Sequence, residues 1–293
     1  MAAAPVRGTQ SFVGVMGAVW RRPSLMGLEI AWRWLFGGVV LGLVWLRVGA
    51  EVMRRWREDP FTFQLWVHGG FIFGLNVKVL WKSLAELAVI SLVWAFVWAA
   101  ARLVILRRLD LRLRGRWSTL ALLAVLRVMS LGVLLAVLFG GVFEIAEVAV
   151  FRPMSSLAEP QYVLGFAGVL GVSLALFVGW SLVSWVLQLA PVLAMAQDLG
   201  AVESVRAALR EGPLRLKLVE INLVMGVVKV ALIVLAMVFS ASSLPLVSVS
   251  TQTFLVSWST VVVLLYFAMS DYFHVVRAAA YLALWRTYHP EAD

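Results

Sequence analysis

The chain is 293 residues long, 62% hydrophobic and 14% charged, with a formal net charge of +9 and no cysteine. A soluble domain clothes itself in about 25% charged residues, so this composition excludes one and points to an all-α polytopic membrane protein. The missing cysteine excludes disulfides and thiolate chemistry, and the positive charge comes with no recognition module that would make nucleic acid a partner.

The first predicted element is an amphipathic helix over 9–22. The opening stretch, "MAAAPVRGTQSFVGVMGAVWRRP", has too short an apolar core for a cleaved signal peptide and is read as part of the mature chain. Phe12, Met16, Val19 and Trp20 recur at helical spacing, Ser11 can cap, and Arg21 and Arg22 stand before Pro23. Such a helix lies in the headgroup layer, with Arg21 and Arg22 as candidate lipid-headgroup contacts.

Six segments then supply the roughly 20 apolar residues that crossing a ~30 Å hydrocarbon core requires. They fall near 28–50, 79–105, 118–143, 162–190, 218–241 and 253–272. The first carries Glu29 and Arg33 at i, i+4, a spacing that lets the two neutralise each other on one helix face. Between the first two spans, "FTFQLWVHGGFIFGLNV" (61–77) is short and broken by Gly69 and Gly70, so it reads as re-entrant or interfacial rather than as a seventh span. The second span repeats the i, i+4 pairing with Lys82 and Glu86, and Arg127 lies about a third of the way into the third. Glu144 and Glu147 follow that span, so Lys82, Glu86, Glu144 and Glu147 are expected to form an outer polar cluster. The fourth span bears Gly168, Gly171, Ala175 and Gly179, a small-residue stripe suited to close helix packing.

A second interfacial helix is predicted over 198–211. Leu199, Val202, Val205 and Leu209 fall near one face, with Glu203, Arg206 and Arg210 on the other. Asp198 is the expected N-cap, Gly212-Pro213 the stop, and Arg206 and Arg210 further headgroup candidates. Lys229 stands near the middle of the fifth span, with Glu220, two and a half turns away, or an acidic residue on another span as its candidate partner. Asp271 and His274 come at the inner end of the sixth, where Glu29, Arg33, Glu220 and Arg277 also gather. Ionisable groups at membrane depth are costly and are functional candidates by default, Arg127 and Lys229 foremost.

Basic residues set the orientation. Fifteen lie in the segments before the first span, after the second and fourth, and in the tail; four lie on the other side, Arg54, Arg55, Arg57 and Arg152. Both termini are therefore expected in the cytoplasm. "WRRPSLMGLEIAW" and "LREGPLRLKLVEINL" each run from arginine through Pro23 or Pro213 to Glu29 or Glu220 at the mouth of a span, a weak signal of an internal duplication.

The stretch "LAPVLAMAQDLGAVESVRAALREGPLRLK" resembles the cytoplasmic helix in the six-span membrane domain of some bacterial glycerophosphodiester phosphodiesterases and of related membrane families of unknown function. The correspondence runs through Pro191, Asp198, Glu203, Arg206, Ala208 and Arg210, over about thirty residues. It implies six-span architecture and a bacterial inner-membrane setting. The soluble phosphodiesterase domain with its carboxylate metal site has no counterpart here, so the resemblance does not imply hydrolysis.

Catalytic patterns are weak. His68, His274 and His289 form no HExxH or HxxxH pair, so no metal or haem is expected, and no cofactor. Ser270, Asp271 and His274 are close in sequence but read as a polar cluster at a span end rather than a triad. The sequence thus predicts a non-catalytic scaffold, accessory subunit or lipid-organising protein, with anionic lipid and other membrane proteins as partners. The alternative is a transporter or channel for a small solute or lipid that uses the intramembrane charges.

Overall fold

A computed structural model describes residues 8–46, 77–156, 159–241 and 251–289. The loop 51–59 and all but the last residue of 61–77 lie outside the described residues, as do the side chains of Ser11 and Lys82. The described residues are 91% helical, with no strand among them; the main helices are α1 (Gly8–Trp20), α2 (Pro23–Val44), α3 (Val77–Leu109), α4 (Trp117–Ala146, prolonged by the short helical stretches Glu147–Phe151 and Arg152–Ser155), α5 (Tyr162–Val183), α6 (Trp185–Ala196), α7 (Ala201–Arg210), α8 (Gly212–Ala241) and α9 (Gln252–Tyr288). Six stretches are long and apolar enough to cross a bilayer, and they contain α2, α3, α4, α5 with α6, α8 and α9. The chain is an all-α, multi-pass membrane protein.

Several helices are much longer than a bilayer is thick. At 1.5 Å per residue the 37 residues of α9 reach about 55 Å, against a hydrocarbon core of about 30 Å. The surplus lies at one end, called basal here, where α1, α6 and α7 sit. There the bundle has a dry core. Leu189 and Leu193 of α6, Leu214 and Leu218 of α8, and Val276 and Tyr281 of α9 are all 0–1% exposed. The helix outruns the sixth predicted span: α9 continues to Tyr288, and the stretch Asp271–Trp285 is buried on nearly every side as the central shaft of the basal half. At the opposite, far end, large apolar side chains point outward, as Val133, Val163, Phe166, Met237 and Leu265 do. An apolar surface that wide is unsustainable in water and natural in lipid.

Pro23 opens α2 in its first turn, where its missing N–H would have had no helical partner anyway. The junction of α5 and α6 at Ser184 leaves the Ser181 carbonyl for a partner outside the helix. Asn222 of α8 supplies it: its Nδ2 donates to Ser181 O and to Ser184 Oγ, both at 2.7 Å.

The second amphipathic helix begins later than the sequence implied. Asp198 is not its N-cap: it has φ 50°, in the left-handed region, one residue past the C-cap Gln197 of α6. Gly200 takes the N-cap position, and Glu203 accepts from its N–H at 3.1 Å. Gly212-Pro213 lies inside the following helix, because α8 starts at Gly212 directly after the Glu211 cap. α1 packs along α9 and α8, burying Phe12 and Val19, and Tyr272 donates to the Met16 carbonyl at 2.9 Å.

The small-residue stripe on α5 is engaged at only one of its positions. A Cβ on Gly168 would come within 3.1 Å of Ile145 on α4, whereas Gly171 and Gly179 have nothing within 4 Å and Ala175 is exposed. A closer approach comes from a glycine outside the stripe: a Cβ on Gly226 would stand 2.8 Å from the Phe177 ring, which lets α5 and α8 meet.

Candidate functional site

Where the basal core meets the lipid-facing half, charged side chains from five helices converge. Glu29 of α2 is completely buried and holds the first group. It accepts from Trp32 Nε1 at 2.9 Å and from Arg102 Nη2 of α3 at 3.3 Å. Arg33 Nε lies 2.8 Å from Glu29 Oε1, close enough for an ion pair although its N–H is misaligned for a hydrogen bond. Arg33 also reaches across to α9, donating from Nη1 to Asp271 Oδ1 at 3.1 Å, and Trp34 Nε1 donates to the other oxygen at 3.0 Å.

The second group has no carboxylate. His274 of α9 stands between two cations, with Arg277 Nη2 3.0 Å from its Nδ1 and Lys229 Nζ of α8 3.4 Å from its Nε2. A neutral imidazole has one acceptor nitrogen, so only one of these contacts is a good hydrogen bond at a time. Trp98 of α3 joins the two groups. Arg102 and, from α4, Arg127 both lie against its ring, with guanidinium carbons 5.6 and 5.8 Å from the ring centroid. Among the described residues, Arg33, Arg102, Arg127, Lys229 and Arg277 thus face Glu29 and Asp271: five cations against two carboxylates.

Of the residues singled out in the sequence, Glu29, Arg33, Arg127, Lys229, Asp271 and His274 meet here. Glu29 and Arg33 pair as their spacing predicted, but each also has a partner on another helix. Lys229 meets His274 rather than Glu220, which is half-buried and apart from the cluster. Asp271 and His274 lie within a continuous helix rather than at its end: α9 runs on for about four turns beyond them, into the basal core.

The expected outer cluster does not assemble among the described residues. Glu144 is exposed and Glu147 pairs with Arg152 at 3.6 Å. Glu86 is half-buried, with its predicted partner's side chain outside the described residues.

The headgroup candidates Arg21, Arg22, Arg206 and Arg210 are all exposed. Two of them rim apolar grooves. α1 and α9 enclose about 300 Å³ lined by Val15, Val19, Leu25 and Leu282, with Arg22 and Arg286 at its edge. α4 and α7 enclose about 440 Å³ lined by Leu122, Leu126, Val205 and Leu209, with Arg206 at its edge. Arg286 is already engaged with Asp110, and Arg22 and Arg206 have no ion-pair partner among the described residues.

Sequence reasoning missed the roles of Arg102 and Asn222. Arg102 is the first of six arginines between 102 and 116, which in the sequence serve only as basic residues that set the orientation, yet it is 5% exposed. The readable clue was Trp98, one helical turn earlier on the same face. Asn222 was readable as the one amide within an otherwise apolar stretch of the fifth span.

No family model, curated protein or solved structure matches the chain.

Proposed function

We propose that this protein is a non-catalytic, lipid-organising component of a bacterial cytoplasmic membrane, with both termini and the basal half on the cytoplasmic side. One observation carries the reading: each amphipathic helix forms a wall of an apolar groove whose rim holds an arginine that has no ion-pair partner among the described residues. That is the chemistry of an anionic phospholipid, with acyl chain in the groove and phosphate on the guanidinium. Exposed Val202 and Leu209 on α7 extend the apolar face that would dip beneath the headgroups. The distribution of basic residues supports the orientation, and the resemblance through Pro191, Asp198 and Arg206 supports the setting.

The test is native mass spectrometry after reconstitution in mixed phosphatidylglycerol and phosphatidylcholine. The wild type should retain phosphatidylglycerol selectively, and a combined Arg22→Gln, Arg206→Gln, Arg210→Gln variant should retain several-fold less with the same thermal stability. Equal retention of the two lipids by the wild type would defeat the reading. So would stoichiometric co-purification of a second protein over α7, which would favour an accessory subunit.

A further inference from the structure

The cationic cluster also holds a site that the lipid reading does not use. Between α3, α6 and α9, on the basal side of the cluster, is a small cavity of about 20 Å³. Its polar lining consists of Trp98, Arg102, Gln188, His274, Arg277 and Tyr281, with no carboxylate. Trp98 and Arg102 are 2% and 5% exposed, and each carries a buried donor without a hydrogen-bond partner: indole Nε1 and guanidinium Nη1. Arg127 Nε, beside the same indole ring, is a third.

We infer that this cavity binds one small monatomic anion, of which chloride is the abundant example. Three lines of argument meet. Buried charges in proteins are paired, yet among the described residues five buried or half-buried cations share two carboxylates, and these serve the Arg33–Arg102 side of the cluster, leaving the buried Arg277 without one. Arg277 and Lys229 are left with the single acceptor of His274 between them. The orphaned groups are all donors, so the missing species is an acceptor; a water would satisfy some of them but bring no charge. The volume is about that of one water, which suits a halide and is too small for phosphate, sulfate or a lipid headgroup. The cavity and the two lipid grooves share no lining residue, so the inference stands or falls independently of the lipid reading.

The test is thermal unfolding of the purified full-length protein in a nonionic detergent, with sodium gluconate exchanged for sodium chloride or bromide at constant ionic strength. A ligand that binds only the folded state raises Tm saturably, so a rise of at least about 2 °C with either halide and none with gluconate is expected. Ala278→Val narrows the cavity and keeps every cation; it should unfold near the wild-type Tm in gluconate and show no halide rise. Arg277→Gln should shift the halide midpoint at least tenfold upward. A wild-type Tm that is the same in all three salts would overturn the inference, as would a full halide rise in a folded Ala278→Val protein. Should the variants not fold, anomalous diffraction from wild-type crystals in bromide decides alone. A peak among Arg102, His274 and Arg277 supports the site, and its absence at saturating bromide removes it.

Discussion

The two ends of α9 are both apolar, and the surrounding helices treat them oppositely. From Phe254 to Phe267 the helix exposes Val256, Val261, Leu265 and Phe267 by half or more, and its groove against α8 is lined by Leu232, Phe239, Val262 and Tyr266. From Asp271 to Trp285 it is enclosed on almost every side by α1, α2, α6 and α8. The far half is sided by lipid and held by the bilayer; the basal half is held by its own packing. Apolar burial can drive folding only where water is the alternative, so the basal half carries most of the stability that the chain itself encodes. The charged cluster lies at the boundary of these two regimes, where a buried ion is surrounded by protein on one side and faces hydrocarbon on the other.

The largest effect should come from the cluster. Glu29→Ala removes the carboxylate shared by Trp32, Arg33 and Arg102; Arg33 keeps Asp271, but the buried Arg102 is left without a counter-ion. Breaking a buried pair from one side costs about 3–5 kcal/mol, which chemical unfolding in detergent should register as a large fall in stability. A loss below about 1 kcal/mol would mean that water reaches Glu29 and that the boundary is not dry.

Next comes the same substitution made in both halves. Leu218 of α8 is 0% exposed and Leu265 of α9 is 61% exposed. Leu218→Ala should cost about 2–5 kcal/mol, as deletion of a buried leucine does. Leu265→Ala should cost under about 0.5 kcal/mol, because the lost contacts are with lipid or detergent. Similar losses at the two positions would show that the far half is packed against something in solution, another copy or another chain.

Much of this architecture was legible in the residues. Apolar runs near 20 residues located the spans, and the spacing of Phe12 with Val19 and of Val205 with Leu209 located both amphipathic helices. What was not legible is where a run stops being membrane and becomes protein core. Hydropathy is the same for Val261 and Val276, yet one is 50% exposed and the other 0%; only the neighbouring helices distinguish them, and those come from distant parts of the chain. For the same reason the pairing Glu29–Arg33 was readable, being local, while Arg33–Asp271 and Arg102–Glu29 were not. Lys229 stands out in the sequence as a lone cation in an apolar run, but its partner His274 is one helix away rather than two and a half turns along its own.

A smaller effect attaches to the junction of α5 and α6. Asn222→Ala would strand the Ser181 carbonyl and the Ser184 hydroxyl, both buried. The cost of unmade buried hydrogen bonds is about 1–3 kcal/mol, and Asn222→Ser should recover part of it by reaching one of the two acceptors. Thermal unfolding of the two variants side by side gives the comparison. An Asn222→Ala protein as stable as wild type would mean that water enters the basal core at Ser184.

The smallest effects discriminate most finely, because they come from one helix in the far half. Gly171→Ala and Gly168→Ala both gain helix propensity, about 0.5–1 kcal/mol at an interior position. At Gly171 the new methyl meets nothing within 4 Å, so the gain should appear undiminished as a slight stabilisation. At Gly168 it must displace Ile145 by a few tenths of an ångström, and the gain should be reduced or reversed. The difference between the two variants therefore isolates α4–α5 packing from propensity. If Gly171→Ala instead destabilised the protein and altered its mass in detergent, the open stripe of Gly171, Ala175 and Gly179 would be covered by a second helix in the assembled membrane form. The far half would then owe part of its order to that partner rather than to lipid alone.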